Sequence, residues 1–241
     1  MPGVRIVKIY VEEAVFSLFP FLTLFCLKAC FDPALTLGEE KEERLKKELE
    51  CAEKRARLRE EKMEGLPLAD PAAPWREGFK KFTSEKGSES CLESLLREAR
   101  LGRVRPAGNL ERLADAVSLD FSVPLGCEDA SKIRGSLGLC LSRGRDPFQA
   151  PEGKQTLTRE GEVCYLDKLG AVRRCINWEN SQRTSPSPSS RRFLFLSESL
   201  DKDCTVRTGE AMRDLERRLR FYFGAETEEF SLSSLRPSKR V

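Results

Sequence analysis

Apolar and polar positions alternate along residues 4–11, which predicts an opening strand. Residues 14–31 are nearly all apolar, but Pro20 breaks the run and Lys28 interrupts its end. The pattern reads as a helix over 12–19, a turn at Pro20 and a buried strand over 21–30. The apolar length also admits a membrane anchor. Against that, Glu12 and Glu13 stand where a signal segment carries Lys or Arg, so no membrane association is expected. Residues 31–33 form a turn, and residues 39–64 then read as one charged helix ended by Gly65. Its thin apolar stripe is Leu45, Leu49, Ala52, Ala56 and Met63. Residues 66–74 form a Pro/Ala linker. Trp75, Phe79 and Phe82 follow at helical spacing, interleaved with Arg76, Lys80 and Lys81. That suits an amphipathic helix buried through its rings, or a surface for RNA bases.

Ser90-Cys91-Leu92-Glu93 has the form of a capping box opening a helix with Leu92, Leu95, Leu96 and Ala99 inward. Asn109 is expected to cap a second helix, with Leu110, Leu113, Ala114 and Val117 on one face and Asp115 and Ser118 off that line. Residues 124–129 read as a loop, 136–141 as a strand and 143–146 as a hairpin turn. Further on, 185–190 (SPSPSS) read as a flexible loop, 193–196 as a short apolar strand and 207–223 as an amphipathic helix before Gly224. Residues 228–232 read as a closing strand, and the basic tail from 236 as frayed.

The least ordinary pattern runs from Gly161 to Thr184. An apolar strand at 163–165 turns through Asp167 to Gly170 and returns over 171–176. It ends in Asn177, Trp178, Glu179, Asn180, Ser181, Gln182, Arg183 and Thr184. An aromatic followed by hydrogen-bonding side chains and an arginine suits the mouth of a polar ligand site. A surface loop anchored by a buried Trp is the plainer alternative.

Composition narrows the chemistry. With 39% hydrophobic and 34% charged residues, the chain has the balance of a folded domain with a charged surface. The net charge of +3 means that any nucleic-acid contact must rest on a local patch. The chain has no histidine, which excludes Ser-His-Asp and Cys-His catalysis and histidine metal ligation. Its nine cysteines include no C-x-x-C pair. They read as reduced, buried thiols of a cytoplasmic protein, with neither metal nor cofactor expected.

The ordered set of motifs is similar to the B3/B4 tRNA-binding domain, found in the β subunit of bacterial phenylalanyl-tRNA synthetase and as free-standing proteins. It runs from Asn109 before a helix containing Val117-Ser118-Leu119, through Pro124, to Asp129 with Lys132-Ile133-x-Gly135. It continues with Gly161-Glu162-Val163, an Asp in the turn, Arg174 and Asn177-Trp178-x-x-Ser181-x-Arg183-Thr184. The resemblance spans roughly residues 92–232, and the segments around Val15-Phe16 and Trp75-Arg76-Glu77 resemble the N-terminal part of free-standing members.

This resemblance implies a mixed α/β (α+β) fold of layered β sheets with helices packed on one side. The expected organisation is an N-terminal segment over 1–65 packed on the core, a linker and aromatic helix over 66–90, the B3/B4-like domain over 91–233 and a basic tail over 234–241. It also implies a cavity for the aminoacylated 3′ end of tRNA, with hydrolysis of mischarged aminoacyl-tRNA in trans as the possible activity. A non-catalytic module holding an amino acid, nucleotide or other small polar ligand is the alternative. Asp115 is the catalytic candidate, as base or water-positioning group. Asn109, Ser118, Gly126, Asp129, Glu162 and Arg174 are candidate binding residues on one side. Asn177, Trp178, Ser181, Arg183 and Thr184 face them. Trp178 would stack on a base and Arg183 would pair with a phosphate or carboxylate. For Asp129 a turn or cap role is the alternative, and for Gly126 backbone geometry. Arginines 97, 100, 103, 105, 173 and 174 are candidates for phosphate contact. Gly126 stands where synthetase copies carry histidine, so their hydrolytic apparatus does not transfer to this chain.

Overall fold

The computed structural model of the chain describes residues 6–32, 37–63 and 70–241. It opens with β1 (Lys8–Val11), α1 (Glu13–Leu18), β2 (Thr23–Cys30) and the long helix α2 (Glu39–Met63). Helices α3 (Ala73–Phe79), α4 (Cys91–Arg100) and α5 (Asn109–Phe121) follow. Strands β3 (Gly126–Asp129), β4 (Leu137–Arg143), β5 (Pro147–Gln149) and β6 (Gln155–Leu157) lead to the hairpin β7 (Glu160–Asp167) and β8 (Gly170–Arg174). The chain ends with β9 (Glu179–Asn180), β10 (Arg192–Ser199), α6 (Lys202–Phe223), β11 (Glu226–Leu232) and β12 (Ser238–Arg240).

These elements make three layers. A six-stranded sheet has the order β12-β1-β4-β7-β8-β9, and a four-stranded sheet the order β11-β2-β10-β3. Among the described residues only the β1–β4 pair is parallel. Strand alternation places the four-stranded sheet between two cores. From β2 and β10, Leu24, Cys26, Leu194 and Leu196 meet Ile9, Leu139, Val163 and Tyr165 of the other sheet. Their neighbours Leu27, Ala29, Phe193 and Phe195 face the helices and pack on Met212, Leu215, Leu219 and Val117. Phe31 is stacked between Phe193 and Phe223, at 4.4 and 4.9 Å between ring centres, worth about 0.5–1.5 kcal/mol per pair beyond burial.

The helix layer is α6 on the sheet, α5 on α6 and α2 on α5. Leu45, Leu49, Ala52 and Ala56 of α2 are buried as its stripe predicts; Met63 and Gly65 lie outside the residues whose side chains are described. Arg218 ties α6 to Asp120 of α5 (2.9 Å) and Glu48 of α2 (3.2 Å). The mixed α/β, layered reading holds, with α1 as an exception to one-sidedness, since it packs on β4.

Several local expectations are corrected. Ser90 caps α4 by accepting from Leu92 N, but Glu93 pairs with Arg76 at 2.5 Å and completes no capping box. Gly108 occupies the cap position of α5, and Asn109, its first helical residue, accepts from Arg112. Residues 126–129 form an edge strand in place of a loop. The 143–146 turn joins β4 to β5, which pairs in a separate two-stranded sheet with β6. The tail is ordered as β12 on β1, and β1 and β2 are members of the sheets themselves. Loop 185–190 is bound in place: Ser187 N donates to Ser190 Oγ at 2.9 Å, and Ser190 Oγ to Asp129 Oδ2 at 2.5 Å. All nine cysteines are free thiols, but Cys30 and Cys51 are exposed. No helix among the described residues is long and apolar enough to cross a membrane, and the apolar stretch 14–31 is divided between α1 and β2.

Candidate functional site

Strand β8 lies in the six-stranded sheet, and Arg173 reaches from it across the gap to the four-stranded sheet. Its guanidinium is 1% exposed. Nε donates to Asn180 Oδ1 at 2.8 Å and Nη1 to Glu198 Oε1 at 3.4 Å. Glu128 on β3 is 3.8 Å from Nε. Gly126 makes this reach possible, because a Cβ there would overlap the guanidinium. Glu198 sits on β10 at the inward parity of Leu194 and Leu196. It accepts from Tyr165 OH at 2.5 Å and from Asn177 Nδ2 at 3.1 Å.

The chain reaches Asn177 by an uncommon route. Cys175 and Ile176 both adopt left-handed backbone, with φ of 42° and 57°. For a β-branched residue this costs about 1–3 kcal/mol, and here it turns Asn177 back beneath β10.

Glu128, Arg173, Glu198, Tyr165 and Asn177 are all buried, yet the set is not saturated. Both Glu128 carboxylate oxygens and Asn177 Oδ1 lack a hydrogen-bond donor among the described residues. Burial pushes the Glu128 carboxyl up to about 8, against the opposing pull of Arg173. What is left over is therefore the Glu128 carboxyl, which takes up a proton readily, and the Asn177 amide oxygen.

The neighbouring cations are already committed. Arg183 donates twice to Asp167, at 2.9 and 3.0 Å, so the carboxylate it pairs with belongs to this chain. Arg174 is bidentate on Glu162, at 2.8 and 2.9 Å, on the outer side of β8. Lys132 Nζ donates to Ser185 O at 2.7 Å.

The residues singled out from sequence are thus divided. Asn177 and Gly126 border the cluster between the sheets, and Thr184 lies close enough to bear on Glu128. Asp129 accepts from Ser131 N (2.9 Å), Ser131 Oγ and Ser190 Oγ, the pattern of a turn anchor. Ser181 Oγ donates to Gln149 O at 3.1 Å. Trp178 is half-buried, with the Arg174 guanidinium 5.8 Å from its ring. Ser118 Oγ donates to Val123 O at 2.6 Å and holds the end of α5. Asp115 lies in the helix layer, where burial, Glu111 and Glu53 raise its carboxyl to about 7. Arg173 and Arg174 are buried, apart from the exposed arginines: Arg97, which pairs with Glu89, and Arg100 lie in the last turn of α4, and Arg103 and Arg105 on the loop after it. Glu128, Tyr165 and Glu198 escaped the sequence reading, and Arg173 entered it only as a candidate for phosphate contact. Their signal is a charged residue at an inward position of an apolar strand, as Glu198 is in FLFLSES.

The sheets, the helix layer and the ordered motifs define a class, and a family comparison agrees. The B3/4 domain model matches residues 75–228, and the chain belongs to that family. It is 28% identical over 124 residues to the phenylalanine–tRNA ligase β subunit of Bartonella henselae, a match over 51% of this chain and 15% of the relative. The chain therefore corresponds to a small part of that curated relative. Among solved structures, an N-terminal fragment of the phenylalanyl-tRNA synthetase β subunit from Pyrococcus horikoshii aligns with 96% of this chain and 56% of its own length. The TM-score is 0.49 and the identity 10%.

Proposed function

We propose that this chain is a tRNA-binding B3/4 protein whose intersheet cluster receives the amino group of an aminoacylated 3′ end. Family membership supports tRNA as the partner. The observation that carries the finer reading is the set of three buried acceptors without donors, Glu128 Oε1, Glu128 Oε2 and Asn177 Oδ1. An ammonium group offers three N–H donors to those acceptors, and its positive charge would draw the proton off Glu128 on binding. A free amino acid brings a carboxylate as well, and the cations around the cluster are already paired. An ester has no such anion, so the charge balance favours an aminoacyl ester over a free amino acid.

Hydrolysis of mischarged aminoacyl-tRNA in trans is the second reading. Glu128 favours it, since a carboxyl raised to about 8 is matched to proton transfer near neutral pH. Arg173, with Nε 3.8 Å away, and the Thr184 hydroxyl are the donors that bear on it. Water attack on the ester carbonyl would pass its proton to Glu128, and the departing ribose oxygen would take it up.

Two assays on wild type and Glu128→Gln test these readings. Filter binding of aminoacylated tRNA across a salt series is expected to give a falling affinity with salt, from counterion release. The variant should bind roughly tenfold or more weakly, because it loses a charge-assisted contact. Release of tyrosine from mischarged phenylalanine tRNA, abolished in the variant, would establish the hydrolase. Salt-insensitive or absent binding would overturn the tRNA reading.

A further inference from the structure

An opening lies between the sheets at the far end of β10 from the Arg173 cluster. Arg192 and Glu198 are six residues apart on β10, roughly 20 Å at strand spacing. At the Arg192 end is a cavity of about 410 Å³. Its walls include Ile6, Ala29, Ala130, Phe193 and Val241, and its polar border includes Lys28, Arg192 and Glu228. That volume is within the range of small-ligand pockets, as is a mostly apolar lining with a few polar groups.

The charges at the border are unequal in availability. Glu228 accepts from Lys28 at 2.8 Å and from Lys239 at 2.7 Å, so both lysines are engaged by one carboxylate. Glu226 also lines the cavity. It shares a register row with Arg192 across Cys30 of β2, and two strand spacings of roughly 10 Å separate them. Among the described residues, no hydrogen bond or ion pair engages the Arg192 guanidinium. The site thus combines apolar walls with one uncommitted guanidinium, a group that recognises carboxylates in a bidentate manner.

We propose that this cavity binds a small carboxylic acid with an apolar body, its carboxylate paired to Arg192 and its hydrocarbon packed on Ile6, Ala130 and Val241. The site is separate from the Arg173 cluster and does not depend on the tRNA reading. The ligand class also differs: the Arg173 cluster has spare acceptors, and this cavity has spare donors.

The exposed thiol of Cys30 lines the cavity and reports its occupancy, while the exposed thiol of Cys51 on α2 lies outside it and serves as the internal control. Alkylation of the folded chain by iodoacetamide would be followed at both cysteines by peptide mass spectrometry, with octanoate, octanamide and acetate as probes. Octanoate at ten times its dissociation constant should slow Cys30 roughly tenfold and leave Cys51 unchanged. Octanamide tests the charge and acetate the apolar body, and both should protect Cys30 far less. Arg192→Gln should weaken octanoate protection by roughly tenfold. Equal protection by octanamide or acetate in the wild type, or no protection by octanoate, would overturn the proposal whether or not the variant folds. Undiminished protection in a folded Arg192→Gln chain would overturn it too.

Discussion

Arg173 and Arg174 are adjacent on one strand, both are buried, and they do different work. Arg174 points outward and is saturated. Glu162 accepts from its Nε and Nη2, from Arg159 N at 3.0 Å and from Cys175 N at 3.2 Å, and Glu85 adds a further contact at 3.3 Å. Burial pulls the Glu162 carboxyl upward, but the guanidinium and backbone N–H groups outweigh it and hold the carboxyl below its ordinary range. Arg173 points inward, faces two carboxylates, and leaves one of them without a hydrogen bond. A closed set of donors and acceptors holds a fold together. An open set, at equal burial, leaves capacity for a ligand. The same test separates Asp167, which accepts from Arg183, Arg134 N and Leu169 N, from Glu128.

The largest expected effect breaks the saturated side. Glu162→Ala strands a buried guanidinium and should cost about 3–5 kcal/mol in urea unfolding, whereas ligand recognition should change only as far as folding does. Next comes the open side as a function of pH. Glu128 binds its proton more tightly folded than unfolded, so the stabilisation is complete below about pH 4.5 and is lost as pH rises toward about 8. The wild type should lose on the order of 3 kcal/mol between pH 5 and pH 8, and Glu128→Gln should flatten that slope in thermal melts. Gly126→Ala is expected to be milder, about 1–3 kcal/mol, because the methyl group displaces the Arg173 guanidinium. Its diagnostic is a larger loss of ligand affinity than of stability. Smallest is Asp115→Asn, with a gain of about 1 kcal/mol at pH 8, where the wild-type carboxyl is charged beside Glu53 and Glu111. tRNA binding by that variant should equal the wild type, and a tenfold loss would return Asp115 to the site.

The helices were legible because spacing alone specifies them. Leu45, Leu49, Ala52 and Ala56, then Leu92, Leu96 and Ala99, recur at the helical period and are buried in that order. The hairpin from Gly161 was legible through its turn chemistry, and Asp167 faces Gly170 across the two-residue tip. Strand β3 was not, because Gly126, Glu128 and Asp129 become strand residues only through pairing with β10. The polar tail likewise becomes β12 only through β1. The polar run after the hairpin divides in the structure. Asn177 enters the cluster, while Ser181, Arg183 and Thr184 mainly bind the backbone or carboxylates of their own loops. Spacing does not reveal which partner saturates a side chain, and that distinction decides between site and scaffold here.

The most direct test of the account compares one tRNA with its amino group free and blocked. Affinities for phenylalanyl-tRNA and N-acetylphenylalanyl-tRNA would be measured with wild type and Glu128→Gln at one salt concentration. The open-cluster account predicts that acetylation weakens wild-type binding roughly tenfold or more, and that the variant no longer distinguishes the two. Equal wild-type affinity for the two tRNAs would contradict it and leave Glu128 as a buried carboxyl with no part in recognition.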